Sequence, residues 1–344
     1  MKILSLSLAS LLLGSAAFAQ SSSVATNPVG FLSITVKGGT ATSPALTLIS
    51  PTLTNPTAFQ STVSAVSGAT ITITGASFTT NQYSAVGGSP VYYVEVIHNG
   101  SGVLSDISAS GTSTVTTTQN ISSLIAQGDT VIIRQHVTIN QFLGANNTYG
   151  LLGSTSGDPS QADGVLVWDG GIQNTYWYYN GTSPSFSDKG WYDLSLNPAG
   201  SVTIAPFEGV LIQRKAAGNV TITSTGTVKA GNTLFPITAG ANYMGTASAQ
   251  GLTLATSGLI SSGLTGSAGG DPTQSDQVLV YDGSGNLNLY WYYNGTSPSF
   301  SDAGWYDLSL NPAGTVALNP GSGVIVDRIH GGAFNWTQPA PTSF

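Results

Sequence analysis

The chain has no cysteine and little charge: 7% of its 344 residues are Asp, Glu, Lys or Arg, against about 25% in an ordinary soluble protein. Without thiols there are no disulfide cross-links, no thiol nucleophile and no cysteine zinc site, so the fold must be held by its core. Eight basic residues within a net charge of -7 argue against nucleic acid as a partner, because phosphate binding needs clustered Lys and Arg. Long apolar runs are also missing, apart from residues 3–13, which follow Lys2 and lead into Ala17-Phe18-Ala19. That run is too short to span a bilayer and reads as an export signal over residues 1–19. The remaining chain has no transmembrane segment of helical length, so a secreted, extracellular or cell-surface location is expected. Low charge beside 40% hydrophobic residues is not the composition of disorder. It implies a surface of Ser, Thr, Gly, Asn and Gln with little like-charge repulsion, which favours self-association.

What the chain does contain is a long stretch of itself twice. Residues 176–200 recur at 290–314 with one difference, Ala303 for Lys189. GDPSQADGVLVWDG (157–170) matches GDPTQSDQVLVYDG (270–283), and PFEGVLIQR (206–214) matches PGSGVIVDR (320–328). Such a duplication implies two copies of one structural unit. A binding face or packing module is built twice more readily than a reaction centre.

Short β-rich runs separated by turn residues predict an all-β protein. The expected organisation is a small barrel-like or sandwich-like N-terminal β domain over residues 20–142, then repeated antiparallel β units over 143–235 and 236–344. Leu32, Ile34 and Val36 alternate on one face of a strand. Ser67-Gly68-Ala69 predicts a hairpin between flanking Thr/Val/Ile runs, and Asn99-Gly100 suits a tight turn with positive φ. Asn120 before Ile121, Leu124 and Ile125, with Gly128 as a stop, predicts one short helix. Pro28-Val29-Gly30-Phe31 resembles the openings of the closing strands at Pro206 and Pro320. The first strand is therefore expected to complete a sheet elsewhere in the chain, or in a neighbouring molecule.

Catalytic constellations are absent from the pattern. The two glutamates, Glu95 and Glu208, lie in different segments, and Glu95 reads as a surface or turn residue. His98, His136 and His330 lack metal-ligand spacing, and no nucleophile elbow, phosphate loop or H-E-x-x-H pair occurs. A non-enzymatic protein is expected. The aspartates of the GDPxQxD loops, Asp158 and Asp163 with Asp271 and Asp276, are the best calcium candidates, ahead of the Asp282–Asn288 hairpin. No other cofactor is implied. The aromatic strands supply the ligand candidates: Tyr176, Trp177, Tyr178 and Trp191 in the first copy, and Tyr290, Trp291, Tyr292 and Trp305 in the second, with Phe186 and Phe300 nearby. Flat rings beside Asn and Asp suit a sugar platform. The same rings equally suit a packed core or a protein contact. An aromatic last residue, Phe344, is a feature of outer-membrane barrels, but Pro339 and Pro341 break a terminal membrane strand.

The chain resembles a family of uncharacterised exported all-β proteins that occur as paralogues in Verrucomicrobia and related bacteria. The residues that carry the resemblance are Val24-Ala25-Thr26-Asn27-Pro28-Val29-Gly30-Phe31, the hairpin at 63–74, the repeated Tyr-x-Tyr-Tyr-Asn-Gly strand ends and the Pro-x-x-Gly-Val closing strands. The terminal Phe334-Asn335-Trp336-Thr337-Gln338-Pro339 matches as well. The arm after Tyr-Tyr-Asn-Gly, usually short and Gly-Trp-containing, is longer here. The resemblance implies export and β architecture, and no activity. The expectation is therefore a structural or adhesive protein whose partners are its own copies or a surface polysaccharide. Carbohydrate binding at two tandem aromatic sites is the alternative.

Overall fold

The computed structural model describes residues 28–169, 172–181, 188–295 and 302–340. The export signal, residues 24–27, Phe186, Phe300 and Phe344 lie outside them. The fold is all-β. Strands β1 (Val29–Val36) and β2 (Ala45–Ile49) come first, then β3 (Thr57–Ser67), β4 (Thr70–Ile73), β5 (Tyr92–His98), β6 (Ser101–Ser110), β7 (Thr114–Thr117) and β8 (Thr130–Gln135). Next are β9 (Val137–Thr138), helix α1 (Ile139–Leu143), β10 (Gly164–Asp169), β11 (Ile172–Tyr179), β12 (Gly190–Asp193), β13 (Thr203–Ile204), β14 (Val210–Arg214) and β15 (Val220–Thr227). The last part holds β16 (Asn232–Ile237), β17 (Gly240–Gly245), β18 (Leu252–Thr253), helix α2 (Leu259–Ser262), β19 (Gln277–Tyr281) and β20 (Leu287–Tyr293). It ends with β21 (Gly304–Asp307), β22 (Ala317–Leu318), β23 (Gly323–Arg328) and β24 (Phe334–Gln338).

Strands β3 to β8 close a six-strand barrel, in the order β6-β5-β8-β3-β4-β7 with β7 returning to β6. Alternation fills its interior with Val63, Ile71, Val94, Val96, Val103, Ile107, Val115, Val131 and Ile133. The β3–β4 hairpin turns at Gly68 (φ 58°), and the β5–β6 hairpin at Asn99 and Gly100, both with positive φ. Residues 120–128 form turns instead of the expected helix. Asn120 accepts a bond from the Ser122 amide, and Ile121 and Ile125 are buried against the barrel interior. So short a segment does not offset the cost of helix nucleation. The helical turn that does form is α1, where Thr138 and Gln141 make a reciprocal capping box.

The two repeats have the same pairing, strand for strand. The five-stranded sheet β12-β11-β10-β14-β2 corresponds to β21-β20-β19-β23-β17, the β1–β15 pair to β16–β24, and β9–β13 to β18–β22. By pairing, β1 and β2 therefore belong with the first repeat, and the barrel is inserted between β2 and β9. The first strand does complete a sheet far along the chain, with Val29 opposite Thr227 and Val36 opposite Val220. Its counterpart in the second copy is β16, however, and not the closing strand β23. Strand β16 also runs parallel to β6, attaching the second repeat to the barrel wall.

Each five-stranded sheet has two buried faces. One packs under its own β1–β15 or β16–β24 pair and helix, giving two matched cores. Where β2, β10 and β14 lie against β17, β19 and β23, the other faces meet in a shared layer of Leu48, Leu166 and Leu211 from the first repeat with Tyr243, Leu279 and Ile325 from the second. The Pro-x-x-Gly turns lock this layer reciprocally. Gly245 N donates to Phe207 O (2.6 Å) and Gly209 N to Tyr243 O (3.0 Å), while Ser50 N donates to Gly321 O (2.8 Å). Phe207 and Gly321 hold equivalent places, both with positive φ. The Phe207 ring enters the second repeat's core, edge-on to Phe235.

Candidate functional site

The aromatic strands lie in the interior. Tyr176 and Tyr178 join Trp191 in the first core, while Trp177 and Tyr179 pack on the opposite face with Tyr192. In the second copy Tyr290, Tyr292 and Trp305 join the core, and Trp291 and Tyr293 pack with Tyr306. The Trp177 and Trp291 indoles donate to Asp193 O (3.0 Å) and Asp307 O (3.2 Å). Trp177, Trp191, Trp291 and Trp305 are 1%, 2%, 0% and 4% exposed, respectively. Of the eight rings singled out from sequence, only Tyr290 and Tyr292 are half-buried. A sugar has no broad ring face to stack on here.

The GDPxQxD loops join each repeat to its closing strand. Asp158 and Asp271 cap one-turn helices, accepting from Ser160 N (2.8 Å) and Thr273 N (2.9 Å). Asp163 and Asp276 are buried. Asp163 pairs with Arg214 at 2.8 Å and accepts from Leu152 N and Lys215 N. Asp276 pairs with Arg328 and accepts from Thr265 N, Ile329 N and His330 N. Carboxylates ringed by N–H donors and a guanidinium are oriented for hydrogen bonding and do not present the converging oxygens that calcium needs. Asp282 is likewise an Asx turn, bonded by Ser284 N, Asn286 N and two amide side chains. Those bonds, led by Asn286, pull its carboxyl down to about 2. Among the described residues no group of three or more His, Asp or Glu side chains converges.

Glu95 is not a surface residue. It projects from the outer wall of the barrel, 3% exposed, pairs with Arg134 at 2.5 Å, and bonds Lys229 in the link between the repeats. Burial raises its pKa, but Lys229 and then Arg134 outweigh this and hold the carboxyl below its usual range. A methyl group at Gly102 would overlap both Glu95 and Lys229, so the barrel strand is kept bare there. Burial also holds the neighbouring Tyr93 phenol above its usual range. The long separation of Glu95, Arg134 and Lys229 along the chain conceals this cluster from sequence reading.

Two concavities remain. A cleft of about 350 Å³ opens between the barrel, the first repeat's Pro206 turn and the second repeat. Its wall includes Trp168, stacked on Tyr243 with centroids 3.6 Å apart at 11°, and its polar lining includes Asp106, Gln119 and Glu208. His136 Nε2 lies 3.1 Å from Asp106. No basic side chain lines this cleft among the described residues, which disfavours anions. The second concavity is a groove of about 590 Å³ in the second repeat, lined by Leu259, Ile260, Tyr292, Trp305 and Gly314 among others. Both volumes lie in the range of small-ligand sites. Comparison with protein-family models, with curated proteins and with solved structures finds no match for this chain.

A carboxylate whose folded pKa lies below its unfolded value stabilises fully above the unfolded pKa, and that contribution is lost as pH falls through the folded one. Glu95, Asp158, Asp193, Asp271, Asp282 and Asp307 all shift downward. The urea midpoint should therefore hold steady above roughly pH 5 and fall from about pH 4 downward. Glu95→Gln, which leaves Lys229 and Arg134 buried without their counter-charge, should lose about 3–5 kcal/mol at neutral pH and show a shallower acid slope. Urea unfolding monitored by tryptophan fluorescence across pH checks both outcomes.

Proposed function

We propose that this is a non-enzymatic, exported structural or adhesive protein of a cell surface or extracellular matrix, with further copies of itself as its first partner. The observation that carries the reading is the pair of near-identical arms, alike but for Lys189 and Ala303. In each, Asp193 or Asp307 accepts from the backbone and side chain of Asn197 or Asn311 at 2.8–3.0 Å. That turn holds Leu196 and Leu310 at φ 65° and 63°. A left-handed leucine costs roughly 1–2 kcal/mol, yet both copies keep it and point it into water. With their neighbours Leu194 and Leu308, these leucines are 48–62% exposed. Strain kept twice at exposed apolar tips is better explained by contact than by folding. Two such tips per chain allow copies to join in series, and the charge-poor surface offers little repulsion to oppose it. The buried Asp–Arg pairs and Asx turns favour a scaffold role for the repeat carboxylates.

Mature protein examined by sedimentation velocity over a wide concentration range should show reversible association. Changing Leu194, Leu196, Leu308 and Leu310 together to Asp should leave a folded monomer. A wild-type protein that stays monomeric at the highest concentration would contradict the proposal.

Carbohydrate binding is the second reading. It is favoured by the cleft, where the half-buried Trp168–Tyr243 stack stands beside Asp106 and Gln119, an aromatic face next to hydroxyl acceptors. Neutral oligosaccharides should then change the tryptophan emission of the wild type and leave Trp168→Ala unchanged.

A further inference from the structure

We infer that the groove of the second repeat binds a peptide segment that brings a main-chain carbonyl to the Trp305 indole N–H. The first repeat shows the arrangement this N–H lacks. Asn140 N donates to Gly200 O and Ala255 N to Gly314 O, at 2.9 and 3.0 Å. Further on, Leu152 N and Thr265 N bond the buried Asp163 and Asp276 at 2.7 and 2.8 Å. Residues 140–152 and 255–265 are therefore the same segment in the two copies.

In the first copy that segment fills its own groove. Trp191 Nε1 donates to Gly144 O at 2.9 Å, the Asn140 side chain occupies the space beside Gly200, and Tyr149 Oη reaches Thr223 O at 2.5 Å. In the second copy Ala255 stands for Asn140, and its methyl would lie 3.5 Å from a Cβ at Gly314. The stretch from Ala255 to Leu264 is also two residues shorter than that from Asn140 to Leu151. Both changes open space, and the groove of about 590 Å³ lies there. Trp305 keeps the place of Trp191, with its ring against Tyr292 as Trp191 lies against Tyr178. It is 4% exposed and lines the groove, but its N–H has no acceptor among the described residues. An indole N–H that opens on a groove and has no acceptor there is free to donate to an incoming carbonyl.

The class of ligand follows from the occupant of the first groove, which is a main chain of small and amide residues, Gly144-Ala145-Asn146-Asn147. The second groove has matching walls: Leu259, Ile260 and Tyr292 for an apolar side chain, and Gly314 where a backbone can approach closely. A partner peptide of that composition is the occupant proposed. The inference is independent of the leucine arms.

The test uses the full mature chain and a synthetic peptide with the sequence of residues 142–149, Phe-Leu-Gly-Ala-Asn-Asn-Thr-Tyr. Binding is read from the indole N–H signals in an NMR titration. The Trp305 signal should move downfield and exchange more slowly with water. Trp305→Phe, which keeps an aromatic ring of smaller size and removes the donor, should weaken binding about fivefold to tenfold. Ala255→Asn, which restores the first copy's plug, should abolish binding in a folded protein and decides the matter if Trp305→Phe does not fold. Three outcomes would overturn the inference: no binding by the wild type at millimolar peptide, binding indifferent to both substitutions, or a Trp305 shift with neutral oligosaccharides and none with the peptide.

Discussion

The architecture depends on one packing constraint. A five-stranded sheet with apolar side chains on both faces needs two covers, and neither repeat supplies all of the second from its own residues. The β1–β15 pair with α1, and its counterpart β16–β24 with α2, cover one face of each sheet. On the second face Trp177, Tyr179 and Tyr192, like Trp291, Tyr293 and Tyr306, pack within their own repeat, and the other copy covers the part around Leu48, Leu211 and Ile325. At about 25 cal/mol per Å² of apolar surface removed from water, such a layer couples the stability of the two repeats. The two copies thus complete each other's cores, and the Pro-x-x-Gly turns that cross from one copy to the other set how the two faces meet.

Several features were legible in the sequence because they are local. Alternation of Ile34 with Val36, the Gly68 and Asn99-Gly100 turns, and the near-identity of residues 176–200 and 290–314 report on neighbours a few residues apart. The all-β class follows from these signals. What the chain concealed was partnership over long separations. The pairing of β1 with β15, the Glu95–Arg134–Lys229 cluster and the Asp163–Arg214 pair each join residues that no period or spacing connects. The aromatic strands illustrate the same limit: alternation assigns Trp177 and Tyr176 to opposite faces, but only the packing around the sheet shows that both faces are covered. The short helix failed for a different reason. Asn120 has the chemistry of a cap, yet its segment is too short to form a helix, whereas Thr138 with Gln141 made a capping box that went unread.

Because the chain holds two copies of one unit, each serves as a control for the other. Features kept in both, such as the Asp–Arg pairs, the Asx turns and the indole bonds to Asp193 and Asp307, are the means by which the unit folds. The left-handed leucines are also kept in both, yet they belong to no hydrophobic cluster among the described residues, and so they support an outward role. Features that differ are where the copies have separate work. Phe207 against Gly321 is one such difference, since the ring ties the first repeat into the second core. Asn140 against Ala255 is another, and it leaves one groove filled and the other open.

The face-to-face arrangement of the two repeats is the claim on which the rest stands, and the lack of cysteine makes it directly testable. Glu208 and Met244 are opposed across the junction as an isolated antiparallel bridge, flanked by the Gly245–Phe207 and Gly209–Tyr243 hydrogen bonds. Residues so placed form a non-hydrogen-bonded pair with Cα atoms about 4.5 Å apart, within the range that a disulfide spans. In a protein carrying both Glu208→Cys and Met244→Cys, the two thiols should form a disulfide within each monomer under mild oxidation, detected as a shift in non-reducing electrophoresis and by peptide mapping. Free thiols, or disulfides found only between molecules, in an otherwise folded protein would contradict the arrangement.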